Sequence, residues 1–367
     1  MAGVHDFIQQ HPGPWLAAGG FIIGTAFGAT IFATNFCTMG SLSDILTFGD
    51  YRRFRAWVLA SATALAGTQM LSIAGIVPLD RAMYLSPTLN WSGNILGGLM
   101  FGFGMVFAGG CASKNLARTG GGDLRSLLTL IVMALFAYMT LGGILGPVRN
   151  WLEQATSIDL KPWHLGTQNL GEIVGAVLRI GQPIGTQVAA AGCLAAAAVY
   201  CFKDARFRAS RIHVLSGIAI GLCVIAGWAL TGLAFDDLAD KPTAPQSLTF
   251  VRPSADAIEW LQRFTAAMIP GFGAATVFGT IFGAFCAASA MGRFKVATFS
   301  SVAETKRGLF GAALMGIGGV LALGCTVGQA ITGVSTLALG SFLTFAALVC
   351  GGLQGMKRLE NILMAEG

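Results

Sequence analysis

From Gly308 to Met356 the chain carries no Asp, Glu, Lys or Arg. That stretch exceeds one hydrocarbon crossing, which takes about 20 apolar residues. It therefore holds two spans and the connection between them, GCTVGQAITGVSTLALG (324–340). A connection facing water normally carries charge. This one, rich in Gly, Thr and Ser, is expected to turn back inside the bilayer, where irregular backbone is tolerated only if protein or a water-filled cavity satisfies it. The rest of the chain agrees: 54% of residues are hydrophobic and 11% charged, with a mean hydropathy of +0.69, whereas soluble domains carry about 25% charged residues. No period-2 alternation of barrel type is present. The fold class is an all-α integral membrane protein, and its 51 glycines suit helices whose backbones touch.

Uncharged stretches between flanking charges place about nine transmembrane helices, near 15–36, 56–77, 92–110, 126–147, 184–202, 212–233, 267–285, 308–324 and 337–355, plus short re-entrant segments. The whole chain, 1–367, reads as one transmembrane domain. The net charge of +6 is read as an orientation signal rather than a nucleic-acid footprint. Counted over the connections, 16 basic residues fall on one side and 7 on the other, which also holds the acidic run Asp236–Asp240. The richer side is cytoplasmic by the positive-inside rule, with the N-terminus outside and the C-terminus inside. Two long connections, 148–183 and 234–266, fall on the poorer side and are expected to form a partly ordered cap.

An internal repeat sharpens this layout. GGLMFGFGMVFAGGC (97–111) over GAALMGIGGVLALGC (311–325) gives seven identities in 15 without a gap, ending Gly-Cys in both. FGATIFATNFC (27–37) resembles FGTIFGAFC (278–286) more weakly. Pseudo-repeat one is therefore placed at about 15–147, linking spans at 184–233, and pseudo-repeat two at about 267–355.

Of the eight cysteines, Cys193, Cys201, Cys223 and Cys350 lie within apolar helices and read as packing residues. Cys37, Cys111, Cys286 and Cys325 each end an apolar run at an expected break. No CxxC spacing or His cluster joins them, since the four histidines stand at 5, 11, 164 and 213, so neither a disulfide framework nor a metal site is indicated. A metal-ion permease is the weakest functional reading, and no cofactor is expected. No carboxylate falls inside a clear span, which argues against an acid relay; Asp44, Asp50 and Asp123 follow breaks and read as helix caps. Lys114 and Arg118, on one face if helical, either attract an anion toward Cys111 or sit as edge charges.

The segments AGGCASKNLARTGGGDLRSL, LGCTVGQAITGVSTLALGSF and NFCTMGSLSD resemble the YeeE/YedE family of sulfur-compound transporters, over most of the chain. The resemblance implies an hourglass-shaped helical protein of the bacterial inner membrane that takes up thiosulfate or a related sulfur anion, and is not an enzyme. It puts the family's constriction cysteines on Cys37, Cys111 and Cys325. Cys286, Lys114, Arg118 and Gln329 are accessory candidates from this chain's own pattern, and Lys114 and Arg118 depart from the wholly neutral stretch of the family. The resemblance also implies a small sulfur-carrier or rhodanese-like partner on the cytoplasmic side. A neutral thiol is a weak donor suited to brief contact with a soft sulfur atom. The competing reading is a membrane thiol enzyme that transfers sulfur or electrons through cysteine pairs.

Overall fold

The computed structural model describes residues 9, 11–237, 243–299 and 301–366; His5 and Asp240 fall outside them. The described chain is helical apart from a two-residue antiparallel ribbon, Thr88–Leu89 with Ile158–Asp159. The helices are α1 (Pro12–Thr34), α2 (Thr38–Phe48), α3 (Arg52–Ile73), α4 (Trp91–Phe107), α5 (Ala112–Gly120), α6 (Leu124–Leu141), α7 (Gly146–Thr156), α8 (Leu170–Leu178), α9 (Gln182–Phe202), α10 (Ala205–Ala209), α11 (Arg211–Leu233), α12 (Val251–Gln262), α13 (Phe272–Ala290), α14 (Val302–Leu321) and α15 (Leu339–Glu366). Between α14 and α15 lies a short helix over 326–335 with a π-helical middle, Gly328–Gly333.

Among the described residues, eight helices are long and apolar enough to cross a membrane, two of them counted through a break: Pro12–Phe48 and Trp91–Gly120. The ninth expected span is α14. Its first turns carry Glu304, Lys306 and Arg307, so only Gly308–Leu321 is uncharged before the chain breaks ahead of Cys325. The two long connections are ordered where described: α7, the ribbon and α8 occupy the first, and a run without regular secondary structure (243–250) followed by α12 occupies the second.

Glycine fixes the packing. α4 and α14 lie against each other antiparallel, with Gly97 opposite Gly318 and Gly104 opposite Gly311. A methyl group on Gly97 would stand 2.6 Å from the Gly318 carbonyl oxygen, and one on Gly104 would stand 2.7 Å from that of Gly311. Backbone contact of this kind admits no side chain. α15 flanks α4 in parallel, α1 runs parallel to α13, and α3 runs parallel to α11. These directions put the ends of α6 and α11 and the starts of α13 and α15 toward one side. That side carries the connections 142–169 and 243–271, and is called here the loop-rich face.

Candidate functional site

Three helices end inside the molecule rather than at its edge, and each restarts at a cysteine. α4 closes with the Ala108 N–H on Gly104 O (2.9 Å), the Gly109 N–H on Val106 O (3.2 Å) and the Gly110 N–H on Met105 O (2.8 Å). α14 repeats the pattern: Ala322 on Gly318 (2.9 Å), Leu323 on Val320 (3.1 Å) and Gly324 on Gly319 (2.8 Å). This is a left-handed helix cap, with φ of +71° at Gly109 and +58° at Leu323. The ungapped register of the sequence repeat is thus kept bond for bond. At the end of α1 the left-handed residue is Asn35, with φ of 54°.

Beyond each cap the cysteine begins the next helix, Cys37 and Cys111 in extended backbone conformations. Cys37 is the N-cap of α2, its Sγ accepting from the Gly40 N–H at 3.4 Å. Cys325 accepts from the Gly328 N–H at 3.4 Å, three residues on in the same way. Cys111 is the N-cap of α5, with its sulfur 3.3 Å from the Ser113 hydroxyl. All three thiols are free and buried, Cys111 and Cys325 completely so. The Cys37 and Cys111 side chains are neighbours, and Thr326 lies beside Cys111 from the other break without a hydrogen bond to it. Cys325 lies within electrostatic reach of Cys111. The expected site residues Cys37, Cys111 and Cys325 therefore meet in one interior region, onto which three helix N-termini converge. Helix N-termini favour anions.

Four residues past each repeat cysteine stands an amide. Asn115 donates to the carbonyls of Gly110 (2.8 Å) and Cys111 (3.2 Å). Gln329 donates to the Ala322 carbonyl. Each thereby satisfies backbone exposed by its own break. The common offset from the cysteine was the available signal for Asn115, which the sequence reading passed over. Among the described residues, eight buried side-chain nitrogen or oxygen atoms lack a hydrogen-bond partner. Four of them belong to these junctions: Thr38 Oγ1, Thr326 Oγ1, Asn115 Oδ1 and Gln329 Oε1. Buried polar groups are ordinarily satisfied, and half of the exceptions cluster here.

The accessory residues separate. Lys114 bonds the Asn35 side chain, spans the first two breaks and lies within electrostatic reach of Cys37. Arg118 turns away: it donates to the Gly109 carbonyl at 2.8 Å and pairs with Asp123 at 3.4 Å, bracing the cap of α4. Arg53 pairs with Asp44 at 3.2 Å and lies over the first turn of α2, where a side chain at Gly40 would strike it. Asp123 is the N-cap of α6 and accepts from the Arg125 N–H, whereas Asp50 stands one residue before the α3 N-cap, Tyr51, and accepts from the Arg52 N–H. The Arg52 guanidinium beside Asp50 holds that carboxyl down at about 2.

Cys286 corrects the reading. The helix runs through it to Ala290, and its side chain is exposed. The residues after it, Ala287–Ala288–Ser289–Ala290, favour continuation, and the left-handed stop comes only at Gly292, with φ of +63°. The parallel course of α1 and α13 likewise shows that the pairing of 27–37 with 278–286 does not describe equivalent breaks. The second neighbour of Cys325 is instead Thr249, whose hydroxyl lies 3.9 Å from the Cys325 sulfur. Of the four cysteines assigned to packing, Cys201 and Cys223 are buried, Cys193 is half-buried, and Cys350 is exposed.

On the loop-rich face a cavity of about 390 Å³ reaches down to Gly324 and Thr249, beside Cys325. Arg149, Arg252, Gln246, Asp256 and Trp260 stand around it. Burial pushes the Asp256 carboxyl up, against the Tyr138 hydroxyl (3.0 Å) and Arg252.

A membrane-embedded bundle with interior half-helices and a passage toward them has the architecture of a transporter. Residues 33–354 match the sulphur transport family, and the chain belongs to it. It is 28% identical over 363 residues to the thiosulfate transporter TsuA of Spirochaeta thermophila, covering 90% of this chain and 96% of that protein. With the thiosulfate transporter TsuA of Escherichia coli it is 25% identical over 348 residues, 90% and 91% of the two chains. A shorter match, 27% over 103 residues, joins it to the probable transporter YedE of Salmonella typhimurium. These relatives are transporters, not enzymes, and the family expected from the cysteine motifs is the one found.

Proposed function

We propose that this protein takes up thiosulfate, or a related sulfur anion, by passing it from the loop-rich face past Cys325, Cys111 and Cys37 through brief S–H contacts. The observation that carries the reading is the meeting of three buried free thiols at the restarts of three interrupted helices. Thiosulfate is hard and anionic at its oxygens and soft at its terminal sulfur. Helix N-termini suit the charge, and a neutral thiol offers the sulfur a weak donor. Conduction needs sites that bind enough to admit and too little to retain, so several weak donors in series serve better than one strong one. The names of the TsuA relatives support thiosulfate as the substrate.

The two halves act as inverted pseudo-repeats, a reading supported by the antiparallel contact of α4 with α14. The distribution of Lys and Arg supports a bacterial inner-membrane orientation with the loop-rich face periplasmic, the N-terminus outside and the C-terminus inside. On that orientation Lys114 and Arg53 stand on the inward side of Cys37, where they draw the anion onward, and a small sulfur carrier or rhodanese-like protein receives it. In cells that depend on this protein for thiosulfate, Cys111→Ala abolishes growth on thiosulfate while leaving the amount of protein in the membrane unchanged. Undiminished growth contradicts the relay. Intact-protein mass after exposure to thiosulfate separates it from thiol chemistry: the relay leaves the mass unaltered, and a persulfide adduct contradicts it.

A further inference from the structure

We propose that one acyl chain of a phospholipid fills the cleft between α3, α9 and α15, and that its anionic headgroup lies on the basic rim where α3 begins and α9 ends. None of the three interior cysteines lines this cleft, and the proposal does not depend on which anion the protein carries. α9 packs on α3 and α8. Its end meets the start of α3: Arg55 Nε donates to the Tyr200 carbonyl at 3.2 Å, and the Cys201 thiol donates to the Arg55 carbonyl at 3.4 Å. Next to that contact a cavity of about 410 Å³ opens, lined by α3 from Phe54 to Leu65 and by α9 from Tyr200 back to Cys193. Ala330 and Val334 line it too; they belong to the short helix that follows Cys325. The Ser61 hydroxyl is spent on the Ala330 carbonyl at 2.6 Å, which leaves a wall that is apolar apart from the Cys193 thiol and the Tyr200 hydroxyl.

Place, length and charge identify the occupant. α3 and α9 are both long and apolar enough to cross a membrane, and Ala196 and Tyr200 on the α9 wall are exposed, so the cleft opens outward between membrane-crossing helices. Left empty, its lining forfeits dispersion contacts, and a hydrocarbon chain restores them. From Phe54 to Leu65 the helix rises about 16 Å at about 1.5 Å per residue, close to half of the roughly 30 Å hydrocarbon core. That is the depth of one leaflet. At the Phe54 end, residues 50–55 and 203–211 together carry seven basic residues and two acidic ones. Arg52, Arg53 and Arg55 pair with Asp50, Asp44 and Asp204. Among the described residues Lys203 and Arg206 have no carboxylate partner, and both are exposed; such cations attract an anionic headgroup. A chain seated in the cleft packs against Ala330 and Val334, and so steadies the half-helix that starts at Cys325.

The test uses the purified full-length protein, stripped of lipid in detergent, with phosphatidylglycerol as the probe and phosphatidylcholine as its neutral counterpart. Native mass spectra show phosphatidylglycerol retained by the unaltered protein and lost from Ala197→Phe, whose ring fills the cleft. Reaction of Cys193 with N-ethylmaleimide, read by peptide mass, places the lipid: phosphatidylglycerol slows it at least tenfold and leaves the exposed Cys286 and Cys350 unchanged. Phosphatidylcholine protects Cys193 only at about 25-fold higher concentration, about fivefold for each of two cations. Lys203→Gln with Arg206→Gln, at exposed positions with little packing to lose, removes that preference and serves if Ala197→Phe fails to fold. The site is overturned if no phospholipid is retained, if Ala197→Phe retains as much as the unaltered protein, or if lipid protects Cys193 no more than Cys286 and Cys350. Protection that follows protein concentration instead of lipid also overturns it, and puts a second copy of the chain on this face. Uptake plays no part in these readouts, so the lipid site and the cysteine relay stand or fall separately.

Discussion

At Cys111 the break is attended by a second thiol, Cys37, and by the Lys114 ammonium; at Cys325 the corresponding places hold the Thr249 hydroxyl and Gly328. The backbone beneath is shared, with the same three cap hydrogen bonds and an amide four residues past the cysteine in both. The repeat supplies the frame and the helix N-termini, whereas the loops and single side chains supply the chemistry. The half facing the cavity is thiol plus hydroxyl, and the other half is thiol plus thiol plus cation. On the proposed path an anion entering from the loop-rich face meets a neutral stage before a charged one, a gradient that a symmetric pore lacks.

The comparison can be broken first at the amides. Asn115→Leu frees the Gly110 carbonyl, and Gln329→Leu frees that of Ala322, at about 1–3 kcal/mol for each buried group left unsatisfied; the Cys111 carbonyl keeps its backbone donor, the N–H of residue 115. Thermal unfolding in detergent is expected to show both variants clearly destabilised. Stability unchanged in either removes the claim that one device holds both breaks. A chemical exchange sharpens the contrast next. Cys37→Thr, which gives the first break the neighbour of the second, lowers thiosulfate uptake about tenfold, whereas Thr249→Cys stays within about threefold of the unaltered rate. Equal losses in radiolabelled uptake contradict the division into stages. The smallest effect falls on the cation. Lys114→Gln reduces uptake about threefold at low ionic strength, and the difference shrinks in high salt as the charge is screened; a loss that ignores salt makes Lys114 a packing residue.

Much of this arrangement could be read from the chain, for reasons that lie in particular residues. Charge-free runs marked the spans, and the Gly308–Met356 stretch held the break at Cys325 and the short helix over 326–335. The Gly-Cys ending shared by 97–111 and 311–325 located both breaks because a left-handed cap needs specific local geometry, which sequence records. Cys286 misled because the likeness of FGATIFATNFC and FGTIFGAFC lies in glycine and phenylalanine, which pack helices, and not in the residue that stops one. Arg118 shared a helical face with Lys114, yet its guanidinium was claimed by the Gly109 carbonyl and Asp123, a contact formed only once the chain has turned. Thr249 carried no local mark at all. It reaches Cys325 through tertiary folding of the irregular run 243–250, and a lone threonine has no pattern to betray that.

The central claim is most directly tested by a crystal structure of the full chain soaked with selenosulfate, in which selenium replaces the terminal sulfur of thiosulfate. The account predicts anomalous selenium signal between the Cys325 and Cys111 sulfurs, in contact with both and bonded to neither. Selenium found only on the exterior of α13 near Cys286, or covalently joined to a cysteine, contradicts it.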